Sequence, residues 1–200
     1  MSSDDPRQRD RIRFENPVLE TERLRLRTWR ADELDRITTA RTNQATAHFL
    51  PFIPQPFTAE DARFWLGDLA EQAAAGLRFN WCVADRASDV ALGNLTLFNL
   101  GEGGGELGFW AHPDAQGRGV VAEAVRRVSV WFFGSPADGG FGGRRLAIRT
   151  AATNRAARRV AESAGFREDG IEREAFWLGS GVCDDRVSYE LVKSDQSAVC

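Results

Sequence analysis

Hydrophobic residues recur at every second position in several short stretches of the chain, and this period predicts β-strands. The first strand follows from an alternation between two sets of residues, Leu24, Leu26 and Thr28 against Arg23, Arg25 and Arg27. The arginine set is expected to face water. Two strands over 79–100 with a polar turn at 86–89, and a fourth within 101–112, predict an antiparallel meander. A fifth strand is expected in 144–150, and a final hairpin in 171–192 turns near 179–181.

Apolar residues at helical spacing predict four helices. The first lies in 30–42 and is followed by three prolines in 51–57. The second begins at the N-cap Thr58, closes at Gly76 and buries Ala62, Trp65, Leu66 and Leu69. The third follows the glycines at 117 and 119, with an apolar face of Val121, Ala124, Val125, Val128 and Phe132. The fourth begins at Thr153 or Asn154 and ends at Gly165.

The predicted order of elements is β α α β β β α β α β β. No internal repeat or shift in composition marks a domain boundary, so one domain is expected over 13–193. Residues 1–12 are polar without period and predict a disordered tail, and residues 194–200 a short C-terminal tail.

Composition and charge exclude several classes of protein. The 200 residues carry a formal net charge of -3, with 42% hydrophobic and 28% charged residues. These values are typical of a soluble globular protein and not of a basic nucleic-acid binder. No apolar run approaches the roughly 20 residues of a membrane span. Three cysteines without C-x-x-C spacing, and the isolated His48 and His112, predict no metal site. We therefore expect a cytoplasmic protein without nucleic-acid or membrane partners.

The stretch PDAQGRGVVAEA, residues 113–124, is the strongest chemical signal. Glycines at 117 and 119 before a helix expose backbone N–H groups to an anion, and Arg118 adds a cationic donor. A plain strand-to-helix turn is the alternative reading. The letters also match the dinucleotide pattern G-x-G-x-x-A over 117–122. That pattern requires repeated βαβ units, which the predicted meander does not supply.

The same loop resembles the Q/R-x-x-G-x-G/A signature of the GNAT N-acetyltransferases, through Gln116, Gly117, Arg118, Gly119 and Val121. Four segments, at 19–29, 105–124, 153–170 and 184–191, resemble the RimJ/RimL-like branch of that family in the right order. The resemblance covers about residues 19 to 192. It implies an α/β (α+β) fold: a mixed, predominantly antiparallel sheet that is splayed between its fourth and fifth strands and flanked by helices.

The resemblance also implies an acyl-CoA site. Pantetheine would pair with the edge of the fourth strand, and the pyrophosphate would lie on the loop. Acetyl-CoA is the expected cosubstrate, other short acyl groups are not excluded, and no metal is implied. The implied CoA contacts are Phe109, Trp110, Ala111, Gln116, Gly117, Arg118, Gly119, Val120, Val121, Asn154 and Arg158. For Arg158, a solvated helix face is an equal alternative.

Glu106 is the candidate catalytic base, acting directly or through a water, and a solvent-facing turn residue is its alternative. The tyrosine or serine that many relatives use as proton donor is replaced by Ala161 and Ala157, and Tyr189 is expected to pack in the last strand. The lack of a proton donor at these positions favours an acceptor amine of low basicity. An α-amine of pKa near 7.7 is roughly one-sixth neutral at pH 7, against about one lysine amine in 2,500.

The acceptor pocket is expected between the first helices and the last hairpin. Candidate lining residues are Trp29, His48, Phe49, Phe52, Trp81 and Trp177. The expected function is acetyl transfer to a primary amine, foremost the N-terminal α-amine of a protein or peptide. A small-molecule amine acceptor, a succinyl donor and a non-catalytic CoA-binding module stay open, as does a homodimer. A negatively lined cleft would favour the small-molecule acceptor.

Overall fold

The computed structural model describes residues 16–196. The strands are β1 (Leu19–Glu20), β2 (Leu24–Arg27), β3 (Phe79–Asp85), β4 (Ala91–Gly101), β5 (Gly104–Ala111), β6 (Arg145–Ala151), β7 (Arg167–Trp177) and β8 (Cys183–Val192). The helices are α1 (Leu34–Thr42), α2 (Gln44–Phe49), α3 (Ala59–Ala74), α4 (Val120–Phe133), α5 (Arg155–Ser163) and α6 (Lys193–Gln196). Short 3-10 turns cover Ala31–Glu33, Pro113–Ala115 and Pro136–Asp138.

The eight strands form one sheet in the order β1-β2-β3-β4-β5-β6-β8-β7. Every neighbouring pair is antiparallel except β5 and β6, which are parallel. The predicted meander is confirmed as β3, β4 and β5, and the predicted closing hairpin as β7 and β8. The fold class inferred from the sequence is therefore confirmed.

The β5 and β6 strands separate after a short contact. Their pairing covers only Gly104–Glu106 against Arg145–Ala147. Beyond it, β5 continues to pair with β4 on its other side, and β6 continues to pair with β8. The two facing edges, 107–111 and 148–151, therefore have no ladder between them, and the sheet opens into a V-shaped gap. The strands β5 and β6 correspond to the fourth and fifth strands predicted from the sequence, so this gap is the predicted splay.

The main core lies between the sheet and α4. The five predicted apolar residues of this helix are all buried, at 0 to 6% exposure: Val121, Ala124, Val125, Val128 and Phe132. They pack against inward residues of the central strands, including Leu95, Leu97 and Ile148. Burying a side chain of this size contributes about 1.5–3 kcal/mol. The N-terminus of α4 is therefore fixed beside the gap by the core beneath the helix.

The helices α1 to α3 form a second, smaller core. Ile37, Ile53, Phe57 and Ala62 are buried there, and Trp65 and Leu66 pack against them. Thr58 caps α3 as predicted: Asp61 N–H donates to its hydroxyl at 3.2 Å, and Thr58 N–H donates to the Asp61 carboxylate at 2.7 Å.

Arg27 and Thr28 correct the predicted first strand. Arg27 was expected in water, yet it is only 6% exposed. Its guanidinium donates to Glu33 at 2.7 Å and to Asp89 at 2.9 Å, and these carboxylates offset the cost of burial. Thr28 lies beyond the strand and is exposed. The alternation of hydrophobic and polar residues does not reveal such partners, because Glu33 and Asp89 both lie outside the strand.

The remaining differences concern boundaries. The helix predicted in 30–42 divides into a 3-10 turn and α1, and β1, α2 and α6 were not predicted. Part of the predicted C-terminal tail, 194–196, is helical, and Asp195 pairs with Arg167 at 3.4 Å. The predicted tail 1–12 and residues 197–200 lie outside the described residues, as does Cys200.

Candidate active site

The loop before α4 presents backbone donors to open space. Gly117 and Gly119 have φ of 73° and 75°, a conformation that favours glycine. A Cβ atom added at either position would meet nothing within 4 Å. Within 16–196, no group accepts from the N–H of Gly117, Gly119, Val120, Val121 or Ala122. Five donors thus converge at the positive end of the α4 dipole, where an anion such as a pyrophosphate is stabilised.

Two anchors hold this loop in place. Asp114 accepts from Arg36 at 2.7 Å and contacts the His112 ring at 2.7 Å. Hydrogen bonding to Arg36, and then to His112, lowers the pKa of Asp114 to about 2, so the carboxylate stays charged at neutral pH. Glu123, in the first turn of α4, accepts from Thr21 Oγ1 at 2.5 Å. Gln116 and Arg118 stay exposed beside the donors.

The edge of β5 that faces the gap carries free backbone groups. His112 N–H donates to the Leu92 carbonyl of β4 at 2.8 Å. Because successive residues point to opposite edges, Phe109 and Ala111 direct their N–H groups into the gap. The backbone of Trp110 pairs with Asn94 of β4 instead, so Phe109 and Ala111 are the two predicted β5 contacts whose N–H groups lie at the gap.

Helix α5 starts on the other side of the gap with Asn154. The Asn154 Oδ1 atom accepts from Ala157 N–H at 3.1 Å, which leaves its Nδ2 group without a partner in the described chain. Arg158 is more occupied: it donates to Tyr189 Oη at 2.9 Å, to the Ala152 carbonyl and to Glu168. Arg158 is therefore held by partners and is not the freely solvated residue of the alternative, and its CoA contact stays a prediction. Tyr189 is 1% exposed and packs in β8 as predicted.

Glu106 stands at the point where β5 and β6 part. Its carboxylate pairs with Arg149 of β6 through Oε2, and Asn99 Nδ2 donates to the same oxygen at 3.1 Å. No described residue donates a hydrogen bond to Oε1. The side chain is 14% exposed, so it is neither a free turn residue nor fully buried. One oxygen is thus held in place while the other can accept a proton or a water.

Glu106, Gly108 and Trp110 share one face of β5, opposite to α4, because side chains alternate along a strand. Phe98 lies over Gly108: a Cβ added there would meet the Phe98 ring at 3.2 Å. A larger residue at 108 would therefore require the Phe98 ring to shift.

A cleft of about 560 Å³ lies between α2, the proline-rich loop and the turn of the last hairpin. It is lined by Gln44, Ala47, His48, Pro51, Ile53, Pro54, Gln55, Gly179 and Ser180. Gly179 N–H donates to the His48 carbonyl at 2.7 Å, which fixes the hairpin turn against α2. No lining residue carries a carboxylate. Nearby acids are occupied: Asp184 accepts from Thr153 and Asp185 accepts from Glu174 N–H.

Residues 23–167 match the family model of the acetyltransferase (GNAT) domain. The chain belongs to the GNAT family of acetyltransferases. Most of the chain is therefore an acetyltransferase (GNAT) domain, and the resemblance inferred from the loop is confirmed.

Relatives of this GNAT chain carry names from the ribosomal-protein branch. YdaF of Bacillus subtilis (strain 168), provisionally named a ribosomal N-acetyltransferase, is 30% identical over 105 residues, which are 52% of this chain and 54% of YdaF. The matched part thus spans about half the length of that curated relative. The ribosomal-protein-S5-alanine acetyltransferase of Vibrio fischeri has 20% identity and a TM-score of 0.74, covering 90% of this chain and 98% of its own.

A GNAT-family acetyltransferase of Bacillus anthracis superposes with a TM-score of 0.76 at 17% identity, covering 89% of this chain and 99% of its own. RimL, a ribosomal L7/L12 α-N-protein acetyltransferase solved with coenzyme A, has a TM-score of 0.72 at 17% identity, with 88% and 97% coverage. At these identities the likeness shows the shared GNAT fold. Within the described residues, no helix could cross a membrane and no cluster of His, Cys, Asp and Glu could hold a metal.

The six predicted acceptor residues of this GNAT chain separate in space. Trp81 is fully buried in the main core and donates to the Pro17 carbonyl at 2.8 Å, so the prediction that it lines the pocket is wrong. His48 lines the cleft, and Phe49 packs against it with ring centroids 4.7 Å apart. Phe52 and Trp177 are 80% and 64% exposed, on the loop and at the end of β7. Trp29 stacks on Trp110 with ring centroids 5.5 Å apart and is not among the residues that line the cleft.

Two residues of the site were missed from the sequence. Arg149 is one of two charged residues of β6, with Arg145 at the start of the strand, and its place directly after the apolar residues 146–148 is the signal that could have found it. Asn99 has φ of 51° at the end of β4, and only its position in the turn brings it to Glu106. Both depend on the register of β4, β5 and β6, which the sequence does not specify.

Proposed function

We propose that this GNAT enzyme transfers an acetyl group from acetyl-CoA to the N-terminal α-amine of a protein or peptide. The observation that carries the proposal is the set of five unpartnered backbone N–H donors at 117 and 119–122, beside a gap whose vertex holds Glu106. The donors suit the pyrophosphate, and the β5 edge at Phe109 and Ala111 suits the amide groups of pantetheine. The Nδ2 group of Asn154 is available to donate a hydrogen bond to the same pantetheine group.

The chemistry needs few groups. A neutral amine attacks the thioester carbonyl, a C–N bond forms, and the C–S bond breaks to release the CoA thiolate. A backbone N–H at the gap edge of β5 stabilises the developing oxyanion. The proton lost by the amine passes to Glu106 directly or through one water, and the thiolate takes a proton from solvent.

Glu106 suits the role of base through its free oxygen. Arg149 and Asn99 hold Oε2, while Oε1 is directed at no described partner. The ion pair with Arg149 fixes the carboxylate at the vertex. A single carboxylate is sufficient to take the proton of an α-amine, which is partly neutral at pH 7, whereas most lysine side chains would need further help.

The lining of the cleft also supports a peptide over a polycationic acceptor. An aminoglycoside or polyamine would need carboxylates facing the cleft, and its described lining supplies none. The names of YdaF, RimL and the S5-alanine acetyltransferase support a ribosomal-protein N-terminus as the acceptor class.

The test measures CoA thiol release from acetyl-CoA and from succinyl-CoA with matched acceptors: a peptide with free N-terminal Ala or Ser, the same peptide N-blocked with an internal lysine, free amino acids and an aminoglycoside. We expect CoA thiol release only when acetyl-CoA is combined with the peptide that has a free N-terminus. Turnover of the aminoglycoside would replace the proposal by the small-molecule alternative. Saturable CoA binding without turnover of any acceptor would replace it by the non-catalytic alternative.

A further inference from the structure

Arg41 is a buried cation enclosed by aromatic rings. Its guanidinium carbon lies 4.1 Å from the centre of the Trp65 ring and 5.1 Å from that of Phe57. The residue is 8% exposed, and Gln55 donates to its backbone carbonyl at 3.3 Å. The two rings supply cation–π attraction but no conventional hydrogen-bond acceptor.

No carboxylate in 16–196 pairs with Arg41. Its Nε atom is buried and donates to nothing, and the guanidinium makes no hydrogen bond to any described group. Arg27 shows the contrast, because it is equally buried and holds both Glu33 and Asp89. Burial lowers the pKa of Arg41 to about 10, so the side chain is still cationic at neutral pH. An unpaired buried cation is costly, and such groups are normally compensated by an anion.

A second buried donor lies in the same cluster. Trp110 Nε1 is buried without an acceptor, and the Trp110 ring centre is 6.4 Å from that of Trp65. The neighbouring Trp29 is satisfied, because its Nε1 donates to Asn94 Oδ1 at 2.9 Å. Two unsatisfied donors, a cationic one and a neutral one, therefore border the same Trp65 ring.

From these groups we infer that Arg41 and Trp110 form a carboxylate-recognition site on the acceptor side of the enzyme. Trp110 lies on the same face of β5 as Glu106 and Gly108. Ile53 and Gln55, which adjoin the Arg41 cluster, also line the cleft. A carboxylate held here would belong to the molecule whose amine reaches Glu106. Its assignment to the acceptor rests on the proposed function, whereas the binding of a carboxylate by Arg41 does not.

The shared chemistry of the ligand is a carboxylate with a nearby amine. Arginine binds carboxylates through two parallel N–H donors, and such charge-assisted bonds are the stronger ones. Two sources fit: an Asp or Glu side chain close to a peptide N-terminus, or the α-carboxylate of a free amino acid. Losing a hydrogen bond to a charged group is expected to cost about ten- to a hundredfold in affinity.

The experiment compares the wild type with Arg41→Met and Arg41→Lys. Arg63→Met, on the exposed side of α3, is the matched control. Acceptors are free N-terminal peptides with one Asp at the second, third or fourth position, each matched by its Asn counterpart, and alanine against alaninamide. We expect kcat/KM of the wild type to favour one carboxylate acceptor at least about tenfold over its amide. That ratio should approach one in Arg41→Met, be reduced in Arg41→Lys and persist in Arg63→Met.

Binding of the same peptides without acetyl-CoA, followed by tryptophan emission, separates the two hypotheses. If the wild type binds the Asp peptide and Arg41→Met does not, the carboxylate site is supported, whether or not the peptide is acetylated. An absence of turnover would then count against the proposed function alone. Turnover with equal kcat/KM for every Asp and Asn pair, or a preference unchanged in Arg41→Met, overturns the carboxylate site. We also expect Arg41→Met to unfold at a temperature no lower than the wild type, since it removes an unpaired buried charge. A lower temperature would make Arg41 a structural clamp and overturn the inference.

Discussion

The two halves of the active site are built in different ways. On the CoA side, the loop at 116–122 uses backbone donors, and its geometry depends on two glycines and on the buried face of α4. On the proposed acceptor side, the groups to which we assign a role are the side chains of Glu106 and Arg41, whose surroundings come from distant elements. The first half can be recognised from a short motif, whereas the second requires the three-dimensional structure. Substitutions should therefore separate CoA binding from acceptor chemistry.

The largest effect on the CoA side is expected from Gly119→Val. Its φ of 75° is unfavourable for a β-branched residue, and the side chain would occupy the open space in which we propose that the pyrophosphate binds. We expect acetyl-CoA affinity to fall about a hundredfold or more, measured by calorimetry. Gly139→Val is the matched control, because Gly139 has φ of 78°, open space around its Cβ position and a place in a distant turn. Equal loss of affinity in both variants would assign the effect to folding.

Glu106→Gln should produce the largest effect on the acceptor side. It keeps the shape of the side chain but removes the base, so kcat should fall about 10²- to 10⁴-fold. The affinity for acetyl-CoA should stay within about twofold of the wild type. Single-turnover kinetics and a binding titration measure the two quantities. A variant with full turnover across pH 6 to 9 would show that Glu106 is not the base.

Asn99→Gly should give a smaller, more selective effect. Glycine tolerates the φ of 51° at this position, so the backbone conformation is kept while the hydrogen bond to Glu106 is lost. We expect kcat to fall about threefold to tenfold with no loss of thermal stability. The kcat of Asn99→Asp should fall further, because aspartate tolerates the same φ but would repel Glu106. If Asn99→Gly lost stability and activity together, Asn99 would be structural and not a positioning residue.

The smallest effect concerns the anchor of the loop. The folded pKa of Asp114 is about 2, below its ordinary value of 3.8, because of Arg36 and His112. A carboxyl group whose pKa is lowered in the folded state stabilises the fold at any pH above its ordinary pKa. This contribution is lost as the pH falls toward 2. Asp114→Asn should therefore be less stable than the wild type at pH 6, and the difference should shrink between about pH 5 and pH 2. Urea unfolding at each pH measures it. A constant difference would show that the charge of Asp114 is unimportant.

These differences explain which parts of the molecule the sequence could predict. The α4 face, the N-cap at Thr58 and the loop glycines follow local rules of spacing and backbone conformation, and the structure contains all three. Arg27 and Trp81 were misplaced because their burial is decided by partners far along the chain. Arg149, Asn99 and Arg41 were missed for the same reason. Their roles depend on register and on the packing of helices, which a single sequence does not encode locally.

One measurement tests the central claim most directly. A single peptide with both a free N-terminal Ala and an internal lysine is incubated with isotopically labelled acetyl-CoA, and the label is located by tandem mass spectrometry. The account predicts label on the N-terminal α-amine alone in the wild type, and almost none with Glu106→Gln. Label on the lysine side chain, or an unlabelled peptide although acetyl-CoA is bound, would contradict it.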